Sequence, residues 1–130
     1  MLMIRIVNLK TYEPIHDDEL CIRICRPSPL GNPYIIKNEY NLSERDIACD
    51  QYDEYFKNQL INSKDRETAF LKELRRIYKL ALTHDIALGC YCVPYKRCHG
   101  ETIKKFLDEQ LAKNLKDYQK DKSLTTNKRE

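Results

Sequence analysis

DIALGCYCVPYKRCHGE, residues 85–101, decides how the rest of the chain is read. Ile86, Ala87 and Leu88 form a short unbroken apolar run, the pattern of a strand buried on both faces. Gly89 loosens the strand's end. VPYKR then turns the chain, and a helix is expected to open near His99–Glu101, with Ile103, Phe106, Leu107 and Leu111 on its inner face. Three of the six cysteines and one of the three histidines fall inside this stretch. It therefore holds both a strand expected to be buried and the densest concentration of chemistry in the chain.

Upstream, MIRIVNL (3–9) reads as a strand with Ile4 and Ile6 on one face. After a polar loop, CIRIC (21–25) alternates again, with Ile22 and Ile24 on one face and Cys21, Arg23 and Cys25 on the other. RPSPLGNP (26–33) is a rigid turning loop, and YIIK (34–37) a short third strand candidate. Ser43 is expected to cap a helix whose spaced residues are Ala48, Tyr52, Tyr55, Phe56, Gln59 and Leu60. A second helix carries the stripe Phe70, Leu71, Leu74, Ile77, Tyr78 and Ala81. The order β-β-(β)-α-α-β-α predicts an α/β fold: a small single-domain sandwich with a short mixed sheet and three main helices. The domain is expected over residues 1–111, with 112–130 a basic, frayed or disordered tail.

A chain of 130 residues with 42% hydrophobic and 33% charged residues fits one soluble domain. No apolar run is long enough for a membrane span, and MLMIRIVNLK lacks a signal-peptide pattern. A cytoplasmic location with reduced thiols is therefore expected. Of 23 Lys and Arg and 20 Asp and Glu, the tail holds six and three, so the body is neutral with seventeen of each sign. A neutral body argues against broad phosphate-driven binding of nucleic acid, although the tail keeps a nucleic-acid adaptor in play.

If the strands at 21–25 and 86–90 are parallel neighbours, the two loops that follow them face one cleft, where sheets of this kind take ligands. All three glycines, Gly31, Gly89 and Gly100, lie in or beside these loops, as expected where φ is positive or a backbone comes close to something. A helix opening at CHGE would offer the amides of Gly100 to Thr102 to an anion. Arg26 could clamp the same phosphate, Ser28 and Gly31 could line the site, Asn32 could read a base or sugar edge, and Tyr34 or Tyr91 could stack on a base. The plain structural readings are a surface ion pair for Arg26 and ordinary packing for Tyr34.

Two further chemistries compete. Cys90 and Cys92 would lie on one strand face, about 6–7 Å apart, and Cys98 and His99 could complete a zinc set, though this spacing is unusual. Alternatively, Cys98 at a helix start could serve as a nucleophile with His99 or Glu101 as acid or base. Against both stand buried, inert thiols and an ordinary helix cap.

The stretches RIVNL (5–9), RPSPLGNPY (26–34), LGCYC (88–92) and RCHGE (97–101) resemble the domain-of-unknown-function family 4326, found in bacteria and their phages, over roughly residues 3–111. Tyr91, Arg97 and Glu101 stand where that family's pattern has tryptophan, proline and aspartate. The resemblance implies a bacterial or phage origin and carries no settled activity. The expectation is a domain that binds, and in one version hydrolyses or transfers, a phosphate-bearing small molecule, most of all a nucleotide. A phage-encoded copy would act on nucleotide metabolism or counter-defence in the host cytoplasm. The alternatives are a structural zinc or protein-interaction module and a tail-borne nucleic-acid adaptor. Cofactor, turnover and homo-oligomerisation are left open.

Overall fold

A computed structural model describes residues 2–34, 42–91 and 98–113. The described strands are β1 (Ile4–Asn8), β2 (Leu20–Arg23) and β3 (Ile86–Cys90). The helices are α1 (Leu42–Asn62), α2 (Ala69–Ala81) and α3 (100–113). The sheet has the order β1-β3-β2, and both pairings are parallel. Ile4 pairs with Ile86 and Leu20 also pairs with Ile86, so all three strands start from one edge.

The expected mixed sheet is thus wholly parallel among the described residues. The polar segment 9–19 returns the chain to the starting edge, so β2 runs in the same sense as β1. It also leaves one strand's width between them, which β3 fills after the helical crossover. Every residue of β3 is buried, as its unbroken apolar sequence predicts. Of the YIIK candidate strand only Tyr34 is described, as a bend; residues 35–37 lie outside the described residues, as does the tail from 114 onward.

One face of the sheet supplies Ile4, Ile22, Ile24, Ile86, Leu88 and Cys90 to a single core. Tyr52 and Phe56 of α1, Phe70, Leu74 and Ile77 of α2, and Ile103 and Leu107 of α3 complete it. The helices therefore form a layer on that face, giving a small single-domain α/β sandwich. The other face is covered locally: Arg5 points into the 9–19 segment, where it bonds Glu19 and the Glu13 carbonyl and lies over the Tyr12 ring.

The α2 stripe lies as its spacing predicts, with Phe70, Leu74, Ile77 and Ala81 buried. Thr68 caps the helix by accepting the Leu71 amide at 3.1 Å. In α1 the helix already includes Leu42 and Ser43, so Ser43 is not its cap. The buried face of α1 runs Arg45, Ala48, Cys49, Tyr52 and Phe56. No helix among the described residues is long and apolar enough to cross a membrane.

Candidate ligand site at the carboxyl edge of the sheet

Because the strands are parallel, the segments leaving β1, β2 and β3 emerge on one edge. The loop after β2 leaves from that edge, and so does Tyr91 after β3; residues 92–97 lie outside the described residues. Ile24 N–H donates to the Gly89 carbonyl at 2.9 Å and Leu9 N–H to the Cys90 carbonyl at 2.8 Å, so the ladder extends to the strand ends.

The loop after β2 is built by its own polar groups. Ser28 N–H donates to the Cys25 carbonyl and Gly31 N–H to the Ser28 carbonyl, each at 2.9 Å, while Ser28 Oγ accepts the Leu30 amide at 3.2 Å. Leu30 is wholly buried, and its carbonyl accepts the Tyr52 hydroxyl at 2.7 Å. Asn32 Oδ1 accepts the Tyr34 amide at 2.9 Å, and its Nδ2 donates to the Ala48 carbonyl at 3.3 Å. The loop is thus fastened to the first turns of α1. Gly31 is required because a Cβ there would sit 2.7 Å from the Arg26 nitrogen and 2.9 Å from Arg26 Cγ. No glycine has positive φ, so close approach is what these positions demand.

Arg26 itself is exposed, and its guanidinium makes no ion pair or hydrogen bond among the described residues. Arg23, the last residue of β2, donates from Nη2 to the Arg26 carbonyl at 2.6 Å. The Arg23 guanidinium also lies 5.6 Å from the centre of the Tyr91 ring, which follows β3. Tyr91 and Tyr34 are both exposed, and Tyr34 packs edge-on against Tyr55 at 6.4 Å. One turn before Ala48, Arg45 is buried at 3% exposure on the α1 face that the loop meets.

The start of α3 differs from the expected anion cradle. Gly100 N–H points at Cys98 Sγ at 3.4 Å, Glu101 N–H donates to the Cys98 carbonyl at 3.0 Å and Thr102 N–H to the His99 carbonyl at 3.1 Å. Those three amides are engaged within the turn itself. Gly100 is buried, and a Cβ there would stand 2.8 Å from Ile24 Cδ1, so its smallness serves helix-on-sheet packing. The Thr102 hydroxyl donates to Asp53 of α1. Glu101 is exposed, and its carboxylate makes no hydrogen bond or ion pair among the described residues.

Cys90, Cys98 and His99 do come together. The two sulfurs are 3.3 Å apart, and Cys98 Sγ is 3.8 Å from His99 Nδ1. His99 Nε2 lies 2.9 Å from the Ile24 carbonyl, which can only accept, so Nε2 carries the proton and Nδ1 has the free lone pair in the neutral ring. The imidazole also packs edge-on against Tyr52 at 5.0 Å. All three residues are buried. Cys92, the remaining member of the zinc set, lies outside the described residues, and among the described residues no three donors are grouped to hold a metal.

The structure therefore brings the Cys98–His99 pair together and leaves Glu101 apart from it. Of the ligand candidates, Arg26 and Tyr34 are exposed, whereas Ser28, Gly31, Asn32, Gly100 and Thr102 shape and fasten the edge. Sequence reasoning missed Arg23, Arg45 and Tyr52 as parts of the site. Arg45 had a signal, since it continues the helical spacing of Ala48 and Tyr52. Arg23 had only its alternation with Ile22 and Ile24, which says it points away from the helices and nothing of Tyr91.

A protein-family model described as a domain of unknown function (DUF4326) matches residues 7–109, spanning both loops, α1 and α2 and most of α3. Neither a curated protein nor a solved structure matches the chain.

Proposed function

The chain belongs to the DUF4326 family, and from that premise and the geometry of the carboxyl edge we propose that it binds a phosphate-bearing small molecule, a nucleotide above all, between the loops after β2 and β3. The observation that carries this reading is Arg23. Its guanidinium spans from the Arg26 carbonyl to the Tyr91 ring and so joins the two loops in one basic, aromatic-rimmed edge. Arg26 supplies a planar, permanently charged fork suited to phosphate oxygens. The exposed rings of Tyr91 and Tyr34 supply faces on which a base can stack. Buried Arg45 lies on the α1 face that the loop after β2 meets. The carboxyl edge of a parallel sheet is the ligand edge of α/β folds, which adds support from architecture.

Calorimetric titration of the chain with nucleoside mono-, di- and triphosphates tests the reading. The expected result is saturable binding to at least one of them. Arg26→Ala should weaken it at least tenfold, the loss of about 1.4 kcal/mol or more, with an unchanged melting temperature. No binding across the panel, or equal affinity in the variant, overturns it.

A further inference from the structure

We propose that Cys90 and Cys98 form a reversible dithiol–disulfide couple, in which Cys98 reacts first with a small hydroperoxide and Cys90 resolves it. The couple stands independently of the ligand reading, because it rests on a different set of atoms.

The fold, rather than sequence proximity, holds these sulfurs together. Cys90 is the last residue of β3, pinned by its pairing with Asn8 and by the bond from Leu9 N–H to its carbonyl. Cys98 stands at the start of α3, pinned by Glu101 N–H on its carbonyl and by Gly100 seated against Ile24 and Ile6. Between these two fixed backbones the sulfurs meet at 3.3 Å. A disulfide bond is about 2.05 Å long, so closing it asks for a shift of about 1.3 Å shared between two side chains.

The surroundings separate the two roles. Gly100 N–H is directed at Cys98 Sγ from the first turn of α3, where the helix dipole favours negative charge. His99 Nδ1, whose lone pair is free because Nε2–H is bound to the Ile24 carbonyl, lies 3.8 Å from the same sulfur and can take its proton. Cys90 Sγ instead lies 3.9 Å from the Val7 carbonyl, a group that can only accept. Cys98 is the sulfur prepared to attack and Cys90 the one held in reserve.

Exposures of 2% for Cys90 and 6% for Cys98 admit a molecule the size of hydrogen peroxide far more readily than a bulky disulfide. In the first step the Cys98 thiol proton passes to His99 Nδ1 and the sulfur attacks one peroxide oxygen. The S–O bond forms, the O–O bond breaks, and the departing hydroxide takes the proton from His99 and leaves as water. In the second step Cys90 sulfur attacks Cys98 sulfur. The S–S bond forms, the S–O bond breaks, and the hydroxide leaves as water with the Cys90 proton. Two electrons pass from the thiols to the peroxide, and two thiol molecules restore the pair by exchange. The bond would tie the end of β3 to the start of α3, at the base of the segment that begins with Tyr91.

The test treats the full chain with one equivalent of hydrogen peroxide, alkylates it and maps its tryptic peptides. The expected product has lost two hydrogens, and links peptide 80–96 to peptide 98–104 through a bond that dithiothreitol reverses. Fragment ions of the wild-type link assign the sulfur in 80–96 to Cys90 rather than Cys92, without any substitution. Exposed Cys21 should still be alkylable at that point. The link should persist in Cys92→Ser and vanish in Cys90→Ser, where Cys98 gains oxygen instead. A wild-type link through Cys92, oxidation of Cys21 ahead of the pair, or oxygen added to Cys98 with no link in wild type overturns the proposal.

Discussion

The Tyr52 hydroxyl donates to the Leu30 carbonyl at 2.7 Å, and both residues are wholly buried. This bond fastens the loop after β2 to the middle of α1, and burial pushes the Tyr52 phenol far above its ordinary range, so it stays protonated. Tyr52→Phe keeps the ring's packing against His99 and Phe56 while orphaning the Leu30 carbonyl. The expected loss is about 1–3 kcal/mol, read as a lower urea midpoint with an unchanged slope. An unchanged midpoint would mean that the bond does not hold the loop.

Two glycines should respond differently to alanine, because different things stand in the way. At Gly31 the obstacle is the Arg26 backbone nitrogen at 2.7 Å, which cannot move without opening the loop. Gly31→Ala should cost about 1–3 kcal/mol and also disturb Arg26. At Gly100 the nearest atom is the tip of Ile24 at 2.8 Å, which can rotate, and a helical alanine recovers about 1 kcal/mol. Gly100→Ala should therefore lie within about 1 kcal/mol of wild type. Parallel urea titrations of the two variants decide it, and equal losses would contradict the distinction.

The acid limb of stability should belong largely to Glu19. Its buried carboxylate accepts Arg5 Nε at 2.8 Å, Arg5 Nη2 at 2.7 Å and the Tyr12 hydroxyl at 2.8 Å. The Arg5 bonds, with that of Tyr12, lower its pKa from 4.5 to about 2. A depressed folded-state value means the stabilisation is fully present above pH 4.5 and is lost as pH falls through about 2. Its size is on the order of 2–3 kcal/mol. Glu19→Gln should lower stability at neutral pH and flatten its decline between those two pH values. A variant with the wild-type acid profile would remove Glu19 as the cause.

Much of this fold was legible where hydrophobic pattern and burial coincide. The apolar run Ile86–Leu88 announced a strand covered on both faces, and the spacing of Phe70, Leu74, Ile77 and Ala81 announced the buried side of α2. The shared edge followed from the parallel order. What the sequence could not show was which polar groups consume one another. The amides of Gly100 to Thr102 read as available because every helix start has them, yet Cys98 and His99 occupy them in the fold. The spacing of Arg45 with Ala48 and Tyr52 puts it on the buried face of α1, but that spacing alone does not set it against the loop after β2. Arg5 and Glu19 are fourteen residues apart and meet because segment 9–19 folds over the sheet. Among the described residues the sheet is parallel rather than mixed for a related reason: hydrophobic alternation gives a strand's faces but not its direction.

At the opposite edge His16 Nε2 meets Asp85 Oδ2 at 2.6 Å and Asp85 Oδ1 accepts the Met3 amide at 2.7 Å. Asp85 thereby gathers the start of β1, the 9–19 segment and the start of β3. The hydrogen bond to Asp85 raises the His16 pKa above 6.5, and the same bond, with that of Met3, lowers Asp85 below 3.8. For His16 the stabilisation is fully present below pH 6.5 and is lost as pH rises through its raised value; for Asp85 it is present above pH 3.8 and is lost as pH falls through its lowered value. The pair therefore contributes most between those limits. His16→Ala should lower the melting temperature at pH 5.5 more than at pH 9, and added salt should shrink the difference because His16 is exposed. Asp85→Ala should remove the same pH dependence and cost more at every pH, since the Met3 amide loses its acceptor too. Equal melting shifts for His16→Ala at both pH values would show that the ion pair is not formed in solution.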